Sequence, residues 1–408
     1  MSCTDIPTGP GLFSDDSIVA KAITKLFFIL STWNRYQDAS PKGLVLEISI
    51  YSPSDSQHAF KGDLHLDVNS FANSEDFESN VPPIHDPYHG WVYGQRLTRP
   101  NSTDISQLLK ILRPSFHERL PVVEVVKSLV IRRQTRRGLS SVALQQIFEN
   151  LPNLEYINYE PWREFFRFKF YYQDKGYRDV ILTSLPKELK ILTIFEDFNE
   201  DYNIIYHFGQ IARAWRYPPE LIRTPCPSVG AALAWRSISL EKLFASYIVD
   251  AKDFFKACEP DWVWNNLKSL ALTSRLLICS TRPSTINNML VEAGMTALKM
   301  PKLQTMEIWN GIKRNAGVFR YQVTTTSTML GWCGTWDLEL DPEVVEIWRK
   351  VALLHTRHEL CLQANEKLSM CDITSQAAAI RKLKINGEVI HPISLEQIER
   401  ESKLYFYK

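Results

Sequence analysis

An α/β fold, built by stacking strand–helix units into a parallel sheet with flanking helices, is predicted from three observations. First, a short pattern, apolar-x-x-apolar-x-apolar, recurs along the chain: VKSLVI from Val126, LEYINY from Leu154, LKILTI from Leu189, LEKLFA from Leu240, LKSLAL from Leu267, LQTMEI from Leu303 and IRKLKI from Ile380. Its fourth and sixth residues alternate as one face of a strand requires, and its first anchors the turn into the strand. Second, helical periodicity precedes several copies: Leu144, Ile147 and Phe148 share one face of the segment 140–148. Third, Leu151-Pro152, Leu185-Pro186 and Met300-Pro301 each stand just ahead of a copy. Proline removes a donor and disfavours helix at the residue before it, so these pairs read as helix-to-strand junctions. The pattern is the core of a leucine-rich repeat, and the expected architecture is an irregular leucine-rich-repeat-like solenoid. Regular repeats of this type run about 20–29 residues. Over the first six copies the separation varies from 27 residues (240 to 267) to 51 (189 to 240), so insertions are expected.

The elements follow in order. Residues 1–40 are expected to form an N-terminal capping region. Ser14 can cap a helix whose first turn carries Asp15 and Asp16, where acids favour the dipole. Ile18, Ala22, Leu26 and Leu30, widened by Ile23, Phe27 and Trp33, make its apolar stripe. Residues 41–120 hold a strand, GLVLEISIY from Gly43, then a long excursion over 52–105 rich in Ser, Asp, Asn, Pro and His. Residues 121–408 carry the strand–helix array, and 41–408 is expected to form one continuous body.

Composition narrows the functional classes. The chain has 408 residues, 45% of them hydrophobic and 23% charged, which is globular rather than disordered. Its 47 basic and 46 acidic residues nearly cancel, so neither nucleic acid nor a membrane is an expected partner. Cys3, Cys226, Cys258, Cys279, Cys333, Cys361 and Cys371 are odd in number and scattered, as in a reduced cytoplasmic or nuclear protein. No apolar run reaches the length of a membrane span.

No phosphate-binding glycine loop, nucleophile elbow or zinc-protease motif is present, and no catalytic residue, cofactor or metal is expected. His85-Asp86-Pro87-Tyr88-His89 reads as a turn rather than a ligand set, because Pro87 argues against a helix. His355 and His358 stand on an expected helix with no third ligand in view. The charged clusters are more informative. In a parallel array, the segments leaving successive strands emerge on the same edge. That edge would carry Arg132, Arg133, Arg136 and Arg137, then Trp162 and Arg163, then Glu196, Asp197, Glu200 and Asp201, with Trp309 further along. Two expectations stand for it: mutual salt bridging that ties the units together, or a composite partner-binding edge with the tryptophans as anchors.

Several runs resemble a group of uncharacterised fungal F-box-type proteins. They are IRRQTRRG (131–138), LPNLEYINYEPWRE (151–164), LPKELKILTIFEDFNEDYN (185–203), WNNLKSLALTS (264–274), MPKLQTMEIWNG (300–311), Gly334-Thr335-Trp336 and VIHPISLEQI (389–398). SPSDSQHAFKG (52–62) and HDPYHGW (85–91) extend the likeness. The resemblance implies a leucine-rich-repeat-like body that recognises a protein substrate for a cullin-type ubiquitin ligase, with no catalytic residues. The F-box would open with a sequence such as L-P-x-E-I, whereas the first Leu-Pro here is Leu120-Pro121. The expected function is therefore a non-catalytic protein-binding scaffold without the F-box, and binding of a Skp-type adaptor is not expected. An enzyme or small-molecule-binding protein with an unrecognised site is the alternative, and an inactive family relic is a further one.

Overall fold

The computed structural model describes residues 15–33, 43–52, 85–93, 95–98, 102–116, 118–164, 170–198, 223–356, 358–385 and 388–404. Each repeated pattern up to residue 308 contributes a strand: β4 (Val126–Ile131), β5 (Tyr156–Tyr159), β6 (Ile191–Phe195), β7 (Lys242–Ser246), β8 (Ser269–Thr273) and β9 (Thr305–Ile312). They lie side by side in chain order and pair in parallel. β1 (Leu44–Glu47) joins β4 in parallel at one end. At the other end β10 (Asn315–Val323) and β11 (Thr328–Gly334) continue antiparallel from β9, and β12 (Leu360–Leu362) and β13 (Glu366–Lys367) pair in parallel with β11. The result is an open, mostly parallel sheet of 11 strands. β2 (Trp91–Val92) and β3 (Gln95–Arg96) form a separate ribbon.

The expected ladder is present. Leu129, Ile157, Leu192, Leu243, Leu270 and Met306 are successive cross-strand partners, extended by Leu46 on one side and by Tyr321 and Leu330 on the other. All are buried. A period-2 pattern held at one register puts the same motif position on the same face in every strand.

Helices between the strands cover that face. They are α1 (Asp15–Ser31), α3 (Ser141–Glu149), α4 (Phe170–Thr183), α5 (Pro227–Ser237), α6 (Ala251–Lys256), α7 (Pro283–Ala297) and α8 (Pro342–His355); α2 (Ser102–Leu108) stands between β3 and β4 in the chain. Residues of α1 and of α3 through α8 share one large core with the ladder. The Leu-Pro and Met-Pro pairs each stand between a helix end and the next strand, as expected.

Three expectations are corrected. The copy at Ile380 is not a strand: Gln376–Leu383 is a helix, α9. Ser375 caps it by accepting from the Ala378 amide at 3.2 Å, the run Ala377–Ala379 favours helix, and Lys384 ends it in the left-handed region. The stripe of α1 is also rotated. Ala20, Ile23, Phe27 and Leu30 are buried, whereas Ile18 and Ala22 are exposed. Both sets have helical spacing, so packing against the sheet, not periodicity, selects the face. Ser14 lies outside the described residues. Finally, His355 is the last residue of α8 and His358 lies beyond it, so the two do not share a helix.

The described residues cover the opposite face of the sheet in part. α9 and α10 (Pro392–Leu404) lie over it, in a second core with Phe195, Phe244, Ala271, Trp309 and Val318. Gly311 permits this approach: a Cβ there would stand 2.4 Å from the Cβ of Ala379.

Candidate functional site

The segments leaving β4, β5 and β6 do converge, and their charges meet one another. Arg133, fully buried, donates through Nε to Asp197 at 2.6 Å. Its two terminal nitrogens grip Glu401 of α10 at 3.1 and 2.7 Å. Arg136 donates to the same carboxylate at 2.7 Å. The indole of Trp162 lies against both guanidinium groups, 4.6 and 5.2 Å from its centroid, and donates to the Arg133 carbonyl. A second cluster adjoins it. Arg163 reaches Asp174 at 2.8 Å and Glu196 at 3.5 Å, and Arg223 reaches Glu196 at 2.5 Å and Asp174 at 3.3 Å.

Glu160, one step along from β5, serves the start of α10. It accepts from the His391 amide at 2.6 Å, from the Ser394 hydroxyl at 2.5 Å and from the Arg133 amide at 3.0 Å. A carboxylate suits a helix N-terminus, where unsatisfied amides carry positive potential.

These environments move the ionisations apart. Burial pushes the Glu160 carboxyl up despite its three donors. Burial acts the same way on Glu401, but Arg133 and Arg136 outweigh it and hold that carboxyl below its ordinary value. For Arg133, burial works against the charge, yet Glu401 and Asp197 reverse the balance and raise its pKa.

Of the residues expected on a partner-binding edge, Arg132, Arg133, Arg136, Trp162, Arg163, Glu196, Asp197 and Trp309 are all buried, which corrects the expectation that they are exposed. Arg137 is half-buried, and Glu200 and Asp201 lie outside the described residues. Arg132 pairs with Glu47 at 2.5 Å. Trp309 is far from an open anchor: it packs on Tyr247, 5.5 Å between ring centroids, within the second core. The mutual salt bridging foreseen for these loops is what the clusters display. Their covering element, α10, was not anticipated. Its buried residues Ser394, Gln397, Ile398 and Glu401 follow helical spacing, but three are polar and the stripe resembles a solvated face.

Among the described residues, what stays open is a row on the sheet face opposite the crossover helices. Ser128, Tyr156, Ile191, Lys242, Ser269, Thr305, Gln322 and Met329 are successive cross-strand partners, and each is half-buried. In the repeated pattern from β4 to β9 this is the third position. The second position forms a charged border beside it: Glu155 takes Lys127 on one side and Lys190 on the other at 2.6 Å, and Glu241 takes Lys268 at 2.7 Å.

A separate cleft of 720 Å³ opens at the N-terminus of α3, with Arg113, Ser140, Ser141, Gln146, Glu164 and Gln173 among its lining. His89 is committed to Asp86 at 2.7 Å, and His355 lies 2.9 Å from the Leu298 carbonyl. Among the described residues no group of His, Cys, Asp and Glu is arranged to hold a metal, and no helix is long and apolar enough to cross a membrane.

Comparison with known proteins finds no match among curated proteins and none among solved structures. Residues 184–391 match a family described as a family of unknown function, DUF6546. The match runs from the end of α4 to the residue before α10, and so takes in β6 through β13, with the hairpin and α9. On that match, over half the chain, the protein belongs to the DUF6546 family.

Proposed function

We propose that this chain is a non-catalytic protein-binding scaffold, similar to the substrate-recognition body of a fungal F-box-type protein. On this reading its strand–helix units are leucine-rich-repeat-like, and the binding surface is the open row rather than the charged edge. The observation that carries it is the row itself: side chains of mixed character, at one register across eight strands, left half-covered beside a charged border. Extended faces of this kind suit a macromolecule better than a small ligand, which takes a deep apolar pocket. The order of the strands also supports it. From β4 to β9 they never reverse direction of addition, so there is no switch point of the kind at which open α/β sheets hold nucleotides.

The test is affinity capture from a fungal extract with wild-type chain and a row variant (Tyr156→Ala, Lys242→Glu, Thr305→Lys) of unchanged melting temperature. Partners lost specifically from the variant support the reading; an identical set from both rejects it. A Skp-type adaptor is not expected among them, because Phe27, in the α1 stripe that would have to dock, is fully buried.

The cleft at α3 favours a second reading, a small-molecule-binding protein. Its polar side chains converge on a volume of the size such ligands use. A metabolite screen by thermal shift, with Gln146→Trp as the blocked control, separates the two: a hit that the control abolishes supports the second.

A further inference from the structure

α10 is attached to the molecule in an unusual way. Among the described residues its own apolar contribution to the second core is Ile398, buried, and Leu395, partly so, with Val389 and Ile390 buried just ahead of it, whereas α9 contributes Ala377, Ala379, Ile380 and Leu383. Both ends are held instead by polar groups of the loops that leave β4 and β5. Glu160 holds the start through the His391 amide and the Ser394 hydroxyl. Arg133 and Arg136 hold the far end through Glu401, under Trp162.

We propose that α10 is a displaceable strap, and that the Arg133–Arg136–Trp162 recess it fills is a recognition site for a helix-borne carboxylate. The ligand class is defined by the present occupant. It is an amphipathic helix with a hydroxyl, an aliphatic residue and an acid spaced as Ser394, Ile398 and Glu401, which are i, i+4 and i+7 on one helical face.

Three considerations carry this. The grip on Glu401 is the bidentate fork that selects a carboxylate, reinforced by a second arginine. The recess favours an anion: Asp197 stays with Arg133, but removing Glu401 takes away the carboxylate that both guanidinium groups share in a largely desolvated place. A strap with little apolar anchoring opens at lower cost than the strands beneath it, because local opening free energy follows buried apolar contact. An entering carboxylate then replaces the leaving one contact for contact. The proposal is independent of the open row, since α10 grips the loops at the C-terminal ends of the strands.

The test uses the full chain throughout. A fluorescein-labelled synthetic peptide of residues 391–404 is titrated into wild-type chain and into Glu401→Gln, followed by anisotropy, with a peptide carrying the same Glu401→Gln change as control. The Gln variant is expected to bind the acidic peptide saturably and about tenfold more tightly than the control peptide, and wild type to bind it weakly because the recess is filled. Equal binding of both peptides, or of neither, by a variant that retains its circular dichroism overturns the proposal. Hydrogen exchange on wild type is the second measurement and decides alone if the variant does not fold. The amides of α10 are expected to exchange at least about tenfold faster than those of β4 and β5. Exchange at the rate of the strands shows that α10 is an integral part of the core and overturns the strap.

Discussion

Leu192 and Leu270 occupy the same step of one ladder, two strands apart, and each is sealed between the sheet and the crossover helices. Truncating either to Ala removes buried methyl groups and leaves a space that stacked neighbours on both sides cannot easily close. A loss of about 2–5 kcal/mol is expected for each. Urea unfolding of L192A and L270A checks it, and no change in midpoint would mean that the ladder is not the core of the fold. Beside the ladder, motif position 2 reads Lys127, Glu155, Lys190, Glu241, Lys268 and Gln304, an alternation of sign ended by an amide. Each half-exposed pair contributes little by itself. The alternation still opposes slippage, since sliding a strand by one residue would part each acid from the lysines beside it. This regularity is visible in the sequence once the copies are aligned, and the apolar pattern alone does not reveal it.

At the scale of elements, the charged segments after β4, β5 and β6 act as a clasp between sheet and α10. Arg136 and Arg137 illustrate how the clasp changes what a substitution should do. On an exposed edge, reversing both to Glu would leave the fold intact. Arg136 is in fact 2% exposed and holds Glu401, whereas Arg137 is only half-buried. Arg136→Glu puts a third acid beside Glu401 and Asp197, and a loss of about 3–5 kcal/mol is expected, the usual cost of breaking a buried pair. Arg137→Glu, at a half-buried position, is expected to cost less than Arg136→Glu. Denaturation of the two single variants decides between clasp and exposed edge: equal small effects would favour the exposed edge. The antiparallel strands β10 and β11 are further elements that pattern-matching passes over. They lack the leading Leu-x-x-Leu, because strands joined as hairpins need no crossover helix and hence no anchor for one.

For the whole molecule, the opposed shifts of Glu160 and Glu401 predict a pH dependence with two signs. Glu401, Glu155 and Glu241 have carboxyls held below the ordinary value of 4.5. For Glu155 the first cause is the hydrogen bond from Lys127, and for Glu241 that from Lys268. A depressed folded-state pKa means stability that is present above 4.5 and is lost as the pH falls through the folded value. Glu160 works the other way. Its folded-state pKa is raised, so its contribution is complete below 4.5 and declines as the pH rises through the folded value. Wild type is therefore expected to lose stability on acidification below 4.5. Glu160→Gln, which cannot ionise, is expected to gain relative to wild type as the pH is raised above 4.5. Urea midpoints for both chains across that range measure the difference; a gap independent of pH would show that the Glu160 carboxyl titrates alike in the folded and the unfolded chain.

Much of this architecture was legible in the chain itself. A leucine at fixed positions, a Pro junction before several copies and period-2 alternation determined which segments are strands, that β4 to β9 lie in parallel, and which residue of each faces the crossover helices. These are local properties, repeated often enough for neighbours to be matched one to one. What only the tertiary structure decided is where long-range contacts compete. IRKLKI carries the spacing of a strand and also that of a helix, and capping by Ser375 with packing over Gly311 settles it as α9. The α1 stripe has two faces of similar apolarity, and the sheet selects one. The charged edge is the clearest case. An arginine at a strand end looks the same in sequence whether it faces solvent or a carboxylate 268 residues away, as Arg133 faces Glu401. Whether such a charge is exposed or paired depends on which distant segment returns to cover it, and no local pattern encodes that return.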